Sequence, residues 1–386
     1  MTAVEPAGGY AQRLESALRA AYVPDRDYGS LRETFTRLGR EGFFRACFDH
    51  QDHGARCRLR WPTFATLIRE LATGSDFGLT LCVALHVGVF VPMVWDLASP
   101  EARADILDDA LDGAVAGAIA TTDAGVSGSD LMGVQTSVRL GDTVHEVTGV
   151  KEYVTHVPGA DFVAMLARWR DGRHFANLCA LLVPLRSPGV TVTAIDMAVM
   201  RPAPIGRIAL DRVRLRPAML LGRRSLGLRH FMDAIAHERL VGGIWAAAVL
   251  ERCLREAQRS AAARILGDAS LWGNPAVRQR LAKAVVGLRL LQSAVDAAVD
   301  RASNGALLSL DCNVVKAAVP AVAEEAVGVC LQLEGARGLE SASRLLRLYV
   351  EFRAFGIGGG TTETALEAVA AEWAGIADDR GRGADA

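Results

Sequence analysis

The chain has 386 residues, enough for two or three hydrophobic cores, because a single core stops growing at roughly 250 to 300 residues. Its residues are 51% hydrophobic and only 6% aromatic, a composition typical of packed helices and not of a disordered chain. The net charge of −1 excludes nucleic acid and anionic membranes as the main partners, since both attract concentrated positive charge.

The first part of the chain, residues 1–115, has apolar residues at helical spacing and is predicted to be an N-terminal helical domain. The segments that carry this spacing are LESALRAAY, LRETFTRLGREGFF, PTFATLIRELATG and LTLCVALHVGVFVPMVWDLA. The last helix of the domain has clear end signals, with Ser99 as N-cap, Pro100 in the first turn and Gly113 as the stop.

The period changes to two near residue 116, which predicts a compact, β-barrel-like middle domain over residues 116–225. Its strand segments include TSVRL, TVHEVTGVKEYVT, DFVAMLARW, ANLCALLVPL and VTVTAIDM. Helical spacing returns over residues 226–378 and predicts a C-terminal four-helix bundle. Residues 379–386 are polar and predicted to be a disordered tail. The whole is an α+β multidomain fold.

The cysteines and the apolar segments indicate a cytoplasmic protein. Seven cysteines are scattered without C-x-x-C spacing, so no disulfide framework and no metal site is expected. No stretch reaches about 18 uninterrupted apolar residues, and the first residues lack a basic region followed by an apolar one. We therefore expect neither a membrane span nor a leader.

Two motifs of the middle domain place polar and aromatic residues close together in the sequence. A loop rich in glycine runs over 122–130 and lets backbone amides and hydroxyls approach a ligand. On the strand Gly149–Thr155, alternate residues face one side, which puts Tyr153 and Thr155 together. Each also has a plain structural explanation, a polar turn for the first and good β-formers for the second.

A third motif, AHERLVGG at residues 236–243, opens the bundle and carries an acid. Glu238 and Gly242 are one turn apart, so the small residue leaves room beside the carboxylate. An acid near a helix start also interacts favourably with the helix dipole, which is the alternative explanation. His237 lies about 100° around the helix from Glu238 and is treated as a neighbour, not as a catalytic partner.

These motifs and the α–β–α order resemble the acyl-CoA dehydrogenases over nearly the whole chain. The loop is similar to the family's Thr-Glu-Pro-x-Ala-Gly-Ser-Asp, with one inserted residue and no proline. The strand is similar to Gly-x-Lys-x-(Trp/Phe)-Ile-(Thr/Ser), with Tyr for Trp. The resemblance implies that FAD is contacted by Thr121, Thr122, Ser129, Tyr153 and Thr155, and that Ser129 also contacts a thioester substrate.

The resemblance also implies the catalytic base. Most of the family carries it in a Glu-Gly-Thr loop near the C-terminus, but the subset that includes isovaleryl-CoA and long-chain dehydrogenases carries it on the first helix of the bundle. Here the glutamate position of the loop is Gly359, which leaves Glu238 as the base. Arg239 and Gly360 are expected at the substrate, although Arg239 has solvation as its alternative.

Two further motifs are similar to segments that bind FAD across a subunit interface in the family. Residues 332–338 resemble Gln-x-x-Gly-Gly-x-Gly and imply contacts from Gln332 and Gly335; an ordinary glycine C-cap is the alternative. Thr361 and Glu363 resemble further cofactor contacts, and a Thr-capped helix is equally good physics. A homodimer or homotetramer with shared sites is implied.

One segment departs from the family. Its Arg-x-x-Phe-Gly aligns with residues 263–267, where Ala263 and Leu266 replace the arginine and the phenylalanine. FAD is therefore expected to be held differently or more weakly than in the family, with Arg264 as a substitute from the adjacent position.

The predicted reaction introduces a double bond α,β to a thioester. A carboxylate removes the weakly acidic α-proton, and hydride from the β-carbon requires an acceptor such as a flavin. The acyl group is carried by CoA or by an acyl carrier protein, in a specialised biosynthetic pathway, with an electron-transfer flavoprotein as a candidate acceptor. Two alternatives stay open: a flavin oxidase or monooxygenase of the same fold, and a non-redox acyl-binding relative with a degenerate FAD site.

Overall fold

The fold is that of a computed structural model, which describes residues 7–21, 28–49, 56–200 and 203–383. Within these ranges nothing is stated of the side chains of residues 7, 8, 21, 28 and 376–383. The chain forms two compact units, Met1–Glu238 and Arg239–Ala386. The division into domains after residues 115, 225 and 378 stays a prediction.

The first unit begins with helices, as the apolar spacing predicts. Those described are α1 (Ala7–Ala21), α2 (Tyr28–Arg40), α3 (Trp61–Gly74), α4 (Phe77–Leu85), α5 (Val91–Leu97) and α6 (Pro100–Leu111). The predicted end signals of α6 are confirmed, because Ser99 Oγ accepts a hydrogen bond from the Ala102 N–H at 3.2 Å. Gly113, just past the helix, has a φ of +68°, a conformation that favours glycine.

Helices α4 and α5 are joined by a π-helical turn at His86–Phe90 and together form a long apolar segment. Among the described residues, Phe77–Leu97 is the one stretch long and apolar enough to cross a bilayer by length and composition. However, 83% of its most apolar window is buried inside the fold. Such burial is typical of a core helix in a globular protein.

An eight-stranded sheet follows in the first unit. Its strands are β1 (Gly117–Ala120), β2 (Ser137–Arg139), β3 (His145–Thr155), β4 (Phe162–Arg168), β5 (Leu178–Pro184), β6 (Val190–Ile195), β7 (Ile205–Leu215) and β8 (Leu220–Leu221). Hydrogen bonds link them in the order β6-β7-β3-β2-β4-β5-β8, and β1 pairs in parallel with β4. Just after β1, Asp123 bridges to Lys151 of β3, so β1, β4, β2 and β3 form a ring. This arrangement confirms the barrel-like sheet.

Strand β7 is missing from the segments that the alternation singles out, because its alternation is interrupted. Asp211 and Arg212 are consecutive exposed residues, and Arg212 has a φ of +48°. Opposite them, the register against β3 shifts between Val147 and Gly149, so β7 carries one extra residue there. A β-bulge of this kind reverses the facing of the residues beyond it.

The second unit is a helical bundle with a small hairpin. Helix α7 (Gly227–Ala263) begins in the first unit and continues in the second. The other elements of the second unit are β9 (Ile265–Leu266), β10 (Ala269–Ser270), α8 (Pro275–Ser303), α9 (Ser309–Glu334), α10 (Arg344–Glu351), α11 (Arg353–Ile357) and α12 (Thr362–Gly383). The fourth long helix is α12, and the short helices α10 and α11 lie between α9 and α12 in the chain. Helix α12 also extends into the predicted tail, whose last residues, 384–386, lie outside the described residues.

Close backbone packing in the bundle depends on a glycine of α7. A Cβ at Gly243 would lie 2.2 Å from Cγ1 of Val315 on α9 and 2.9 Å from Cγ2 of Val295 on α8. Both contacts are shorter than van der Waals distance, so only glycine lets α8 and α9 approach α7 here. The second glycine of the sequence AHERLVGG is therefore explained by packing.

Candidate active site

The loop that carries Thr121 and Thr122 is hydrogen-bonded to β3 directly beside Tyr153. The Glu152 N–H donates to the Thr122 carbonyl oxygen at 3.0 Å. Because Glu152 immediately precedes Tyr153, the backbone pairing places two predicted cofactor-binding segments side by side. The first unit thus brings together residues that are about thirty positions apart in the sequence.

A buried ion pair fixes this pairing. Lys151 Nζ lies 2.6 Å from Asp123 Oδ1, and the exposed fractions of the two side chains are 0% and 2%. Lys151 also donates to the Thr121 carbonyl at 2.9 Å, and Asp123 accepts hydrogen bonds from the N–H and Oγ1 of Thr136, each at 2.7 Å. Burial lowers the pKa of Lys151 to about 8, and the Asp123 carboxylate offsets part of that effect. Neither charge was predicted from the sequence to take part in the site.

The glycine of the strand motif has a steric reason. A Cβ at Gly149 would lie 2.6 Å from Thr136 Cα and 2.5 Å from its Oγ1. Any larger residue would push away Thr136, which holds the Asp123 carboxylate. Glycine at this position is therefore part of the same buried cluster.

Tyr153 lies in an unusual backbone conformation at a bulge. Its φ is +55°, and β3 has one extra residue relative to β7 between Lys151 and Val154. A positive φ is rare for a bulky residue and occurs mostly where the surroundings enforce it, often at functional sites. The side chain is 63% exposed, so the ring is available to a ligand of the first unit. The alternation in the sequence predicts a regular strand here, so the bulge was not predicted.

Ser129 is exposed on a turn that is anchored by charge. The neighbouring Asp130 carboxylate accepts two hydrogen bonds from Nη2 of Arg173, at 2.7 and 2.9 Å. This hydrogen-bonded guanidinium lowers the pKa of Asp130. On the other side of the turn, a Cβ at Gly128 would lie 2.9 Å from Thr122 Oγ1. The turn therefore places Gly128, the residue before Ser129, against the Thr122 side chain.

Glu238 is half-buried on α7. Its neighbour His237 packs edge-on against Trp61, with ring centroids 5.3 Å apart, and hydrogen-bonds the Gly88 backbone. Burial is the main cause of the lowered pKa of His237. These contacts give His237 a structural role in the first unit, in agreement with its treatment as a neighbour of the acid.

Arg239 directs its guanidinium at the C-terminal loop of the second unit. Its Nε donates to the Gly359 carbonyl at 3.1 Å, and its Nη1 donates to Asn313 Oδ1. Gly360 has a φ of +90°, and a Cβ there would lie 2.8 Å from Arg239 Nη2. Arg239 is only 8% exposed, so solvation does not explain it. The two predicted substrate contacts, Arg239 and Gly360, are thus adjacent in the second unit.

Two residues of α9 that the sequence analysis did not identify also bind this loop. Lys316, 6% exposed, donates through Nζ to the carbonyls of Phe355 and Gly358. Asn313, besides accepting from Arg239, donates to Glu372 Oε1 at 3.4 Å. The available signal was a pair of polar residues three positions apart in an apolar stretch of the helix, because polar groups buried there require hydrogen-bond partners.

Gly242 does not leave open space beside the helix acid, as the motif suggested. A Cβ at Gly242 would touch the Phe355 ring at 3.4 Å. That ring in turn packs against Trp245, with centroids 5.2 Å apart. The small residue therefore accommodates an aromatic side chain of the second unit.

Thr361 and Glu363 lie at the start of α12. Thr361 Oγ1 accepts a hydrogen bond from the Thr364 N–H at 3.2 Å, which is the geometry of an N-cap. Glu363 is exposed in the first turn. Both positions are explained by helix capping, and neither side chain is buried in a way that prevents contact with a ligand.

A groove of about 420 Å³ in the second unit collects the remaining predicted cofactor contacts, Arg264, Gln332 and Gly335. Arg264 Nη1 donates to the Leu333 carbonyl at 3.1 Å, and Gly335 has a φ of +63° beside that guanidinium. Arg280 also lines the groove, together with apolar side chains. Two guanidinium groups beside an amide and apolar walls suit a ligand that carries phosphates.

Comparisons with known proteins find matches to both the sheet of the first unit and the helical bundle. Residues 118–213 match the family model of the acyl-CoA dehydrogenase middle domain, and residues 226–373 match that of the acyl-CoA dehydrogenase C-terminal domain. The acyl-[acyl-carrier-protein] dehydrogenase MbtN of Mycobacterium tuberculosis is 27% identical over 77% of this chain and 76% of the relative. The MbtN of Mycolicibacterium paratuberculosis is 28% identical over 82% and 80%.

Solved structures share the fold over almost the whole length. Butyryl-CoA dehydrogenase from Megasphaera elsdenii superposes with a TM-score of 0.87 at 18% identity, covering 97% of this chain and 98% of that one. The prolyl acyl carrier protein oxidase AnaB gives 0.87 at 18% identity, covering 95% and 98%. The FAD complex of PigA gives 0.85 at 20% identity, covering 96% and 98%. Because the models of the family's middle and C-terminal domains match residues 118–213 and 226–373, the chain belongs to the acyl-CoA dehydrogenase family.

Proposed function

We propose that the chain is an FAD-dependent acyl thioester dehydrogenase that introduces a double bond between the α- and β-carbons of its substrate. The observation that carries this proposal is the pairing of the Thr122 loop with the Tyr153 bulge, locked by the buried Asp123–Lys151 ion pair. It holds hydroxyl groups, backbone amides and an exposed aromatic ring in one preorganised arrangement, which is what a flavin and a thioester require.

Glu238 is proposed as the base that takes the α-proton. An α-C–H beside a thioester is a weak acid, so a well-placed carboxylate must accept the proton while donors hold the developing negative charge on the thioester oxygen. The loop position at which most of the family carries its glutamate is Gly359, which has no side chain. Glu238 is half-buried on α7, the helix on which one subset of the family, which this chain resembles, carries its base.

The residues present fit FAD as the cofactor. When bound, FAD supplies the hydride acceptor that no side chain can provide. In the first unit the exposed Tyr153 ring and the hydroxyl-bearing loop suit a flavin, and in the second the groove with Arg264 and Arg280 suits its phosphates. The proposed contacts are Thr121, Thr122, Ser129, Tyr153, Thr155, Arg264, Gln332, Gly335, Thr361 and Glu363.

Arg264 takes the place of the arginine that the family carries one position earlier. Ala263 has no charge to offer, and Leu266, which is 63% exposed and lines the groove, offers an aliphatic side chain in place of the phenylalanine ring. Arg264 is held over the end of α9 by the Leu333 carbonyl and faces the groove. We expect Arg264→Gln to weaken FAD binding about tenfold or more, measured by quenching of flavin fluorescence during titration.

The substrate is proposed to be an acyl thioester on an acyl carrier protein or on CoA, within a specialised biosynthetic pathway. The MbtN relatives, named as dehydrogenases of carrier-bound acyl groups, favour the carrier protein. A homodimer or homotetramer with shared cofactor sites, an electron-transfer flavoprotein as acceptor and a cytoplasmic location complete the proposal.

Anaerobic titration of the purified protein with acyl thioesters tests the proposal directly. A dehydrogenase shows the oxidised flavin spectrum and loses it on addition of substrate. If reduction is followed by rapid oxygen consumption on admission of air, the protein is an oxidase or monooxygenase of the same fold. Protein that stays colourless after incubation with FAD contradicts the proposal and indicates a non-redox acyl-binding protein.

A further inference from the structure

Two neighbouring turns of the first unit carry a concentration of arginines. One turn joins β4 to β5, and the other joins β8 to α7 and continues into the first residues of that helix. They are in contact, because the Arg224 guanidinium lies 4.7 Å from the centroid of the Trp169 ring. Gly227 also packs so tightly on β5 that a Cβ there would lie 2.4 Å from Cys179 Cα. The exposed members, called the arginine patch below, are Arg170, Arg173, Arg223, Arg224 and Arg229.

The arginine patch has far more positive than negative charge. Residues 168–174 and 222–230 together contain six arginines and one aspartate, in a chain whose net charge is −1. Arg173 binds Asp130, but across the part of the chain that the structure describes no acid pairs with Arg170, Arg223 or Arg229. Exposed guanidinium groups without acidic partners create a positive potential that attracts an acidic partner.

The patch is joined to the proposed substrate loop. Arg173 reaches from the β4–β5 turn to the Asp130 carboxylate, and Asp130 directly follows Ser129. A partner bound at the patch would therefore sit beside the loop that is proposed to contact the thioester. Phe175, in the same turn, is 55% exposed and adds an apolar contact. Arginine and aromatic side chains are enriched in protein interfaces.

We propose that the arginine patch is the docking surface for the acidic face of an acyl carrier protein, which delivers the thioester to the loop at 122–130. The inference rests on the proposed function and selects between its two thioester carriers. Charge complementarity is the main argument, since several guanidinium groups spread over two turns match a broad acidic protein face. The exposed aromatic ring fits a protein surface better than it fits the phosphates of a nucleotide.

Charge reversal in the patch tests the proposal with three substrates that carry the same acyl chain. The chain is attached to an acidic bacterial acyl carrier protein, to CoA or to pantetheine, and the double variant Arg170→Glu/Arg223→Glu is compared with wild type. We expect kcat/KM for the carrier-bound chain to fall at least about tenfold and to lose its dependence on salt. The pantetheine thioester, which has neither protein nor phosphate, should react as with wild type.

The matched control is Arg214→Glu, an exposed arginine on β7, three strands away from β4 in the sheet order. It should leave all three substrates unaffected. Equal losses for all three substrates in the patch variant, or a loss for the CoA thioester as large as for the carrier, would overturn the docking proposal. The second result would assign the patch to the nucleotide instead.

Direct binding separates failure of this inference from failure of the proposed function. Fluorescence anisotropy of the labelled holo-carrier protein needs no turnover and no substrate oxidation. If wild type oxidises none of the thioesters, the proposed function fails, while salt-sensitive binding that the double variant loses still supports docking. If wild type does not bind the carrier protein at low salt, or if the double variant binds it equally well, the docking proposal is contradicted.

Discussion

Arg239 and Gly359 are joined by a hydrogen bond of 3.1 Å from the guanidinium Nε to the loop carbonyl, although 120 residues separate them in the chain. The same guanidinium binds Asn313 on α9 through Nη1. Arg239 is thus a brace between two helices and the loop in which most of the family carries its base. Its contacts assign it to the positioning of that loop.

Arg239→Lys tests this positioning role. A lysine is a single point donor and cannot bind the Gly359 carbonyl and Asn313 in the geometry of the guanidinium fork. We expect kcat for thioester oxidation to fall about tenfold or more, with KM little changed and the free energy of unfolding lowered by about 1 to 2 kcal/mol. Arg259→Lys, at an exposed site of the same helix, is the control. A rise in KM at constant kcat would show instead that Arg239 binds the substrate.

Gly360→Ala should destabilise the protein. Gly360 has a φ of +90°, and the new Cβ would lie 2.8 Å from Arg239 Nη2, so both backbone strain and a collision with the brace are introduced. We expect a loss of about 2 kcal/mol in the free energy of unfolding, measured by urea denaturation. The control is Gly375→Ala on α12, where nothing lies within 4 Å of the new Cβ and about 0.5 to 1 kcal/mol of stability should be gained.

Removal of one partner of the buried ion pair should be costly. Lys151→Met leaves the Asp123 carboxylate buried without its cation, and we expect a loss of about 3 to 5 kcal/mol. The double variant Asp123→Asn/Lys151→Met should lose less than the sum of the single variants, because the unpaired charge is absent. Arg139→Met, which breaks the exposed pair with Glu146, should cost less than about 1 kcal/mol. Additive losses in the cycle would refute coupling between Asp123 and Lys151.

Acid should destabilise the first unit through His86. Its Nδ1 accepts from the Gly117 N–H at 3.1 Å, so Nε2 carries the proton and donates to the Ala110 carbonyl at 2.9 Å. Burial lowers the pKa of His86 to about 4, whereas the unfolded chain titrates near 6.5. The unfolded state therefore binds the proton first, and stability that is complete above pH 6.5 is lost as the pH falls toward 4.

The effect of His86 on stability can be isolated by substitution. His86→Gln retains a donor and an acceptor without titrating, and it should remove about 3 kcal/mol of the acid-dependent loss between pH 6.5 and 4. The free energy of unfolding is measured across this range for wild type and variant. A slope in His86→Gln as steep as in wild type would show that other groups cause the acid sensitivity.

Local features of the fold were predictable because they depend on residues close together in the chain. The helix signals Ser99, Pro100 and Gly113 act within one or two turns. The alternation of β3 and β6 reflects burial on one face, whereas β4 and β5 are apolar throughout because both of their faces are buried. The α–β–α order and the motif loop followed from the same local patterns. The α–β–α order is that of the family to which the chain belongs.

Features that depend on distant residues could not be read from the sequence. Lys316 binds carbonyls that are 39 and 42 residues further along the chain, and its partners are backbone atoms with no sequence signature. The bulge at Tyr153 results from pairing with β7, whose own alternation is interrupted. Gly242 was interpreted as space for a ligand because Phe355, which covers it, lies more than a hundred residues away.

Reduction of the bound flavin by an acyl thioester under anaerobic conditions, with wild type and Glu238→Gln, is the most direct test of the central claim. The glutamine retains the size of the side chain but cannot accept the α-proton. We predict that the variant binds FAD as wild type does and that its rate of reduction falls about 10²- to 10⁴-fold. Asp233→Asn, at an exposed acid of the same helix, should reduce normally. Bleaching of the flavin by Glu238→Gln at the wild-type rate would contradict the assignment of Glu238 as the base.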